Sequence, residues 1–169
     1  ALSPACPRVY LATMEPYDAE SRVRVARHQA LRAGKGFATV ERPRDLAGLD
    51  AAPLRGSVVL LECLGTLAAN QLYGPEGLTP GAYEAVLDGV LHLNAACREL
   101  VVVSNEVFLG GADYAGDTDA YLRLLARLNR RLAAESTRAV QVAAGLPLYR
   151  KGTPPAELIG WQCRQIPRP

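Results

Sequence analysis

Val58-Val59-Leu60-Leu61-Glu62-Cys63 decides the fold. Four consecutive apolar residues leave no polar side for water, so the run reads as a central strand of a parallel sheet covered on both faces. Glu62 then stands at the strand's carboxyl end, the edge where open α/β sheets place ligands.

Upstream of this run, Val9-Tyr10-Leu11-Ala12 is a second short apolar stretch, broken by Thr13-Met14-Glu15-Pro16. Asp18 opens a helix that continues to about Leu31, and Gly34 and Gly36 end it. Phe37 to Val40 reads as a strand, and Glu41 to Leu46 as a polar connection. Downstream, a helix is expected over Thr66 to Leu72, followed by a loop over Gly74 to Gly81. Tyr83, Val86, Leu87, Val90 and Leu91 form the stripe of an amphipathic helix. Leu100 to Val103 reads as another buried strand, with Ser104-Asn105-Glu106 at its carboxyl end. Tyr121, Leu125, Leu128 and Leu132 trace a helix from Asp117 to about Ala134. Val140 to Ala143 is expected to be a last core strand with Leu146 to Tyr149 beside it. Strand and helix alternate throughout, which predicts a mostly parallel α/β sheet with helices on both faces.

With 169 residues, 49% of them hydrophobic, the chain can bury one good core. A single nucleotide-binding α/β domain is expected over residues 1–152, with a Pro-, Arg- and Gln-rich tail around Trp161 over 153–169. A net charge of +2 leaves no basic footprint for nucleic acid, and no basic run alternates with stacking rings. No apolar run approaches the roughly 18 residues of a membrane span, and no signal sequence opens the chain, so the expectation is a cytoplasmic protein. Cys6, Cys63, Cys97 and Cys163 lie far apart, without the spacing of a zinc knuckle or redox dithiol.

The stretch richest in chemistry is Arg24-Val25-Ala26-Arg27-His28-Gln29-Ala30-Leu31-Arg32-Ala33-Gly34-Lys35. On a helix, Arg24, His28 and Arg32 share one face, with Lys35 near its end. Surrounding cations disfavour imidazolium, keep the ring in its nucleophilic neutral form, and bind phosphates. The plainer reading is a solvated basic helix face. Glu62 and Glu106, each just past an apolar strand, could hold a nucleotide-bound Mg²⁺ or a ribose, or simply meet water. Gly34-Lys35 fails as a phosphate loop, because Gln29 stands where the first glycine belongs and Gly36 where Ser or Thr belongs. His92 reads as structural. Ser104 to Glu106 could rim a substrate, and Gly110-Gly111 with Asp113 to Asp117 reads as a mobile loop.

Taken in order, these segments resemble the bifunctional adenosylcobinamide kinase and adenosylcobinamide-phosphate guanylyltransferase family of cobalamin biosynthesis. The matching pieces are Tyr10-Leu11-Ala12-Thr13, Arg24 to His28, Thr39-Val40-Glu41, Val59 to Leu64 with Asn70, and Val103 to Val107. Asn129 to Ala133 and Ala144-Gly145-Leu146-Pro147 also fit, so the likeness runs from about Val9 to Lys151. The resemblance implies a P-loop-NTPase-like, RecA-like sheet. It also implies that His28 attacks the α-phosphorus of GTP to give a guanylyl-histidine, whose GMP passes to adenosylcobinamide phosphate. Thr13, Met14, Glu15, Gln29, Ala30, Leu31, Arg32, Glu41 and Glu62 would line the nucleotide site by the same resemblance, and the positive charges of Arg32 and Arg24 can neutralise phosphate. It further implies GTP and ATP as substrates, Mg²⁺ with unspecified protein ligands, and a homo-oligomer, in particular a trimer.

Family members begin with a strand, a glycine-rich phosphate loop ending in Gly-Lys-Ser or Gly-Lys-Thr, and a helix. Such a segment is expected to occupy roughly 20 to 30 residues before Ala1 and to add a central strand. A natural relative without the loop stands as the other explanation. The corresponding alternative function is a noncatalytic nucleotide- or corrinoid-binding module.

Overall fold

A computed structural model of the protein describes residues 6–108 and 114–156. In chain order the elements are β1 (Arg8–Ala12), α1 (Ala19–Arg32), β2 (Phe37–Glu41), β3 (Val58–Glu62), α2 (Leu64–Leu72), β4 (Tyr73–Gly74), β5 (Gly77–Leu78), α3 (Ala82–Ala96), β6 (Glu99–Val103), α4 (Asp117–Glu135), β7 (Ala139–Ala143) and β8 (Leu146–Lys151). Two short 3₁₀ turns, Leu46–Gly48 and Ala52–Leu54, lie between β2 and β3. The chain divides into two compact units that meet between Leu128 and Asn129, so α4 starts in the first and ends in the second.

In the first unit, four parallel strands run in the order β2-β1-β3-β6. The path from β1 to β2 and the path from β3 to β6 move in opposite directions along the sheet. Right-handed crossovers therefore put α1 on one face and α2 with α3 on the other. The face toward α2 and α3 is dry: Leu11, Val59 and Leu61 are wholly inaccessible. With Leu46, Leu67, Val86, Val90, Leu93, Leu125 and Leu128 they form the core, and each large side chain buried there stabilises by about 1.5–3 kcal/mol. The expected parallel sheet with helices on both faces is what forms.

α1 differs from the other helices in burying none of its residues completely. Its start is set by chemistry rather than packing: Asp18 accepts from the Ser21 N–H at 2.7 Å, while the Asp18 N–H donates to the Ser21 hydroxyl at 3.0 Å. Past its end, Gly34 and Gly36 adopt positive φ and turn the chain into β2.

Three sequence expectations need correction. β6 forms where expected but is not buried, since Val101 and Val103 are 47% and 38% exposed. It is the last strand in the sheet, and these two valines project on the face that α1 covers only above β1 and β2. The Gly74–Gly81 stretch is not all loop: Tyr73–Gly74 and Gly77–Leu78 pair as a minimal antiparallel hairpin. Val140 to Ala143 is not a core strand.

In the second unit, β7 and β8 instead form a separate antiparallel hairpin, with Val140, Val142, Leu146 and Leu148 exposed. Its cause is local. Ala144 and Gly145 both take positive φ (50° and 79°), the backbone of a two-residue turn whose twist matches a hairpin. Lys151 donates to the Ala133 and Ala134 carbonyls near the end of α4, where cations suit the helix dipole. Gly110, Gly111, Asp113, Trp161, Cys163 and most of the expected tail lie outside the described residues.

Candidate active site

The first helices after β1 and β3 leave on opposite faces, so the chain parts between these strands at their carboxyl ends, where α/β sheets open a ligand crevice. Ala12 pairs with Glu41 on one side and Glu62 on the other. Register partners in a parallel sheet project on the same face, so both carboxylates rise on the α1 side, flanking β1.

Thr13 joins the two strands below this edge. The Cys63 N–H donates to the Thr13 hydroxyl at 2.8 Å, and that hydroxyl donates to the Cys63 carbonyl at 2.9 Å. Buried Asn70 on α2 donates to the Thr13 carbonyl at 2.8 Å and the Pro43 carbonyl at 3.0 Å, tying the segments after β1 and β2 together. The Cys63 thiol caps α2, accepting from the Thr66 N–H at 3.3 Å.

Tyr10 lies one pleat below Ala12. Its hydroxyl donates to Glu62 Oε2, its ring meets Phe37 edge-on at 6.3 Å, and the Arg32 guanidinium sits 3.8 Å from its ring centre. Burial, and then the Glu62 carboxylate, push the Tyr10 hydroxyl up to about 12. On α1, Gln29 donates to Glu41 at 3.3 Å. An open hollow of about 470 Å³ lies between the end of α1 and β2, walled by Gln29, Arg32, Gly34, Phe37 and Thr39.

His28 is half-buried, as are Ser21, Val25 and Arg32, and the four form one stripe of α1 turned toward the sheet. Among the described residues it makes no hydrogen bond or ion pair. Arg24, Ala30 and Leu31 fall on the exposed side of the helix. Gln29 is thus drawn to Glu41, and Arg32 and Glu62 to Tyr10, while Thr13 is wholly buried against the Glu62 and Cys63 backbone and Ala30, Leu31 and Arg24 are turned outward. Met14 is half-buried after β1. Glu15 accepts from the Tyr17 hydroxyl at 2.6 Å and from Arg44 at 3.3 Å, and Arg44 also donates to the Tyr17 hydroxyl at 3.1 Å. The Tyr17 hydroxyl, followed by Arg44, holds the Glu15 carboxyl below its ordinary range.

Sequence reasoning assigned no role to Tyr10, Arg44 or Asn70. Tyr10 carried a signal, a hydroxyl inside an otherwise apolar strand. Arg44 carried none, because its partners are distant in sequence, and Asn70 only its place in the family likeness. The His92 Nε2 donates to the Leu49 carbonyl at 3.1 Å.

The sequence model of the cobinamide kinase / cobinamide phosphate guanyltransferase family, CobU, matches residues 1–149. This chain belongs to that family. It is similar to the bifunctional adenosylcobalamin biosynthesis protein CobP of Pseudomonas aeruginosa, at 31% identity over 148 residues, covering 86% of this chain and 83% of that protein. It is likewise 31% identical over 150 residues to the bifunctional adenosylcobalamin biosynthesis proteins CobU of Escherichia coli and Salmonella typhimurium, with 82% of each chain covered. The parallel sheet of the first unit is the P-loop-NTPase-like α/β fold of this CobU family. No helix among the described residues is long and apolar enough to cross a membrane.

Proposed function

We propose that this CobU-family chain acts in adenosylcobalamin biosynthesis as a cobinamide kinase and cobinamide phosphate guanylyltransferase. The observation that carries the transferase half is the stripe of α1 that turns His28 and Arg32 toward the face on which Glu41 and Glu62 rise. A His28 ring nitrogen attacks the α-phosphorus of GTP, the bridging oxygen leaves with its electron pair as pyrophosphate, and a P–N bond holds GMP. The phosphate of adenosylcobinamide phosphate then attacks the same phosphorus, releasing the imidazole. Splitting the transfer this way replaces one difficult displacement by two easier ones. The kinase half transfers the terminal phosphoryl group of ATP or GTP to adenosylcobinamide.

Mg²⁺ at nucleotide sites takes one or two protein carboxylates and completes its shell with phosphates and water. Glu41 and Glu62 fit that donor set. A bound Mg²⁺ would neutralise charge building on the phosphates. Met14 and Glu15 supply the wall of the nucleotide site after β1, on backbone that buried Thr13 ties to Cys63, with Gln29 and Arg32 opposite. A homo-oligomer, in particular a trimer, belongs to the same reading, and the exposed apolar side chains of the β7–β8 hairpin support it.

Incubation with α-labelled GTP and Mg²⁺ is expected to give an acid-labile, base-stable adduct in the parent chain and in His92→Asn, and none in His28→Asn. Equal labelling of all three removes His28 from the mechanism. GTP binding without any adduct assigns a noncatalytic nucleotide-binding module instead.

A further inference from the structure

We propose that Tyr10 is a positioning residue of the nucleotide site, a strut that keeps the Arg32 cation and the Glu62 carboxylate apart and presents both to the nucleotide. The inference rests on the proposed nucleotide site and adds a residue to which neither sequence nor family likeness gave a role.

Opposite charges near a partly buried surface attract strongly, and a guanidinium beside a carboxylate ordinarily closes into a two-pronged ion pair. Here each is held by Tyr10 instead of by the other. The guanidinium lies on the Tyr10 ring face, and the carboxylate accepts from the Tyr10 hydroxyl. None of the ion pairs among the described residues includes Arg32 or Glu62. Arg32 Nε is buried with no hydrogen-bond partner.

The ring cannot swing away. Tyr10 is 4% exposed on β1, between β2 and β3, with Phe37 against its edge. A carboxylate has two acceptor oxygens; the hydroxyl engages Oε2, which leaves Oε1 for a ribose hydroxyl or a metal ion. Cation–π contact fixes a guanidinium through its flat face, so its edge remains able to meet phosphate oxygens. Because the hydroxyl keeps its proton well beyond neutral pH, it remains a donor to Glu62 under all working conditions.

GTP affinity and adduct formation in the full chain test this. Tyr10→Phe keeps the ring under Arg32 and removes the tie to Glu62, and is expected to weaken GTP binding about tenfold, as befits loss of a hydrogen bond to a charged group. Its adduct rate at saturating GTP should stay within about twofold, because the lost contact serves binding. In a Glu62→Gln background the same change should add little, since the hydroxyl acts through that carboxylate. Tyr10→Leu removes the strut altogether, and its crystal structure should show Arg32 paired with Glu62. Parent-like GTP affinity in Tyr10→Phe, full additivity with Glu62→Gln, or Arg32 and Glu62 still apart in Tyr10→Leu would each overturn the proposal. GTP binding with the expected coupling but no adduct on His28 sinks the transferase reading and leaves the strut standing. No GTP binding by the parent chain sinks both.

Discussion

Thr13 and Cys63 exchange hydrogen bonds across the carboxyl ends of β1 and β3, N–H to hydroxyl at 2.8 Å and hydroxyl to carbonyl at 2.9 Å. A wholly buried threonine hydroxyl thus holds the strands together where their first helices part to opposite faces. Thr13→Val keeps the shape and deletes both bonds, leaving a backbone N–H without its partner. The expected loss is about 1–3 kcal/mol in urea denaturation. Thr13→Ser keeps the exchange and loses one methyl, at about 0.8 kcal/mol.

Asn70 holds the segments that follow β1 and β2 through the Thr13 and Pro43 carbonyls. Asn70→Leu fills similar volume but leaves both carbonyls without this donor. Stability should fall by about 2 kcal/mol, counting two ordinary hydrogen bonds. GTP affinity should fall in the same variant, and a drop in stability alone would show that these segments do not shape the nucleotide site.

Alkaline pH should expose Tyr10. The unfolded chain releases this proton near the ordinary value of 10.0, the folded chain only near 12. Between these values the unfolded state holds fewer protons, so the contribution of Tyr10 to stability, complete below pH 10, is lost as pH rises toward 12. The stability difference between the parent chain and Tyr10→Phe, followed by urea denaturation, should shrink across that window, and a constant difference would contradict the assignment.

Gly89 is where α3 meets the first 3₁₀ turn most closely: a Cβ added there would lie 2.6 Å from Leu46 Cβ and 3.3 Å from the Ala47 nitrogen. Alanine normally favours a helix over glycine by roughly 1 kcal/mol. Overpacking, costing about 1–3 kcal/mol, should outweigh that here, so Gly89→Ala is expected to lower the melting temperature.

The helices and parallel strands were legible because their causes are local. The Asp18 and Ser21 pair starts α1, two glycines follow it, and continuous apolar runs mark β1 and β3. The same habit of reading misjudged β6 and β7, since an apolar run shows strand propensity and says nothing of what lies on top of it. Val101 and Val140 look alike in sequence to Val59, yet only Val59 is covered on both sides. Ala144-Gly145 is not one of the Asn-Gly or Asp-Gly turns that announce a hairpin, so the alternation around it drew β7 into the sheet.

The site divides along the same line. His28, Arg32 and Glu62 were candidates from residue type, helical spacing and a strand end, and Glu41 from the family likeness. The outward turn of Ala30 and Leu31 follows from a helical register that only packing against the sheet fixes.

By itself the sequence determined the order and kind of most elements, the family, and which end of the sheet carries the acids, because each depends on neighbours a few residues apart. Tertiary structure alone decided that Arg32 rests on Tyr10 and that Tyr10 holds Glu62. Those partners lie on three elements, and a side chain's choice among distant partners is made by the geometry of the folded sheet.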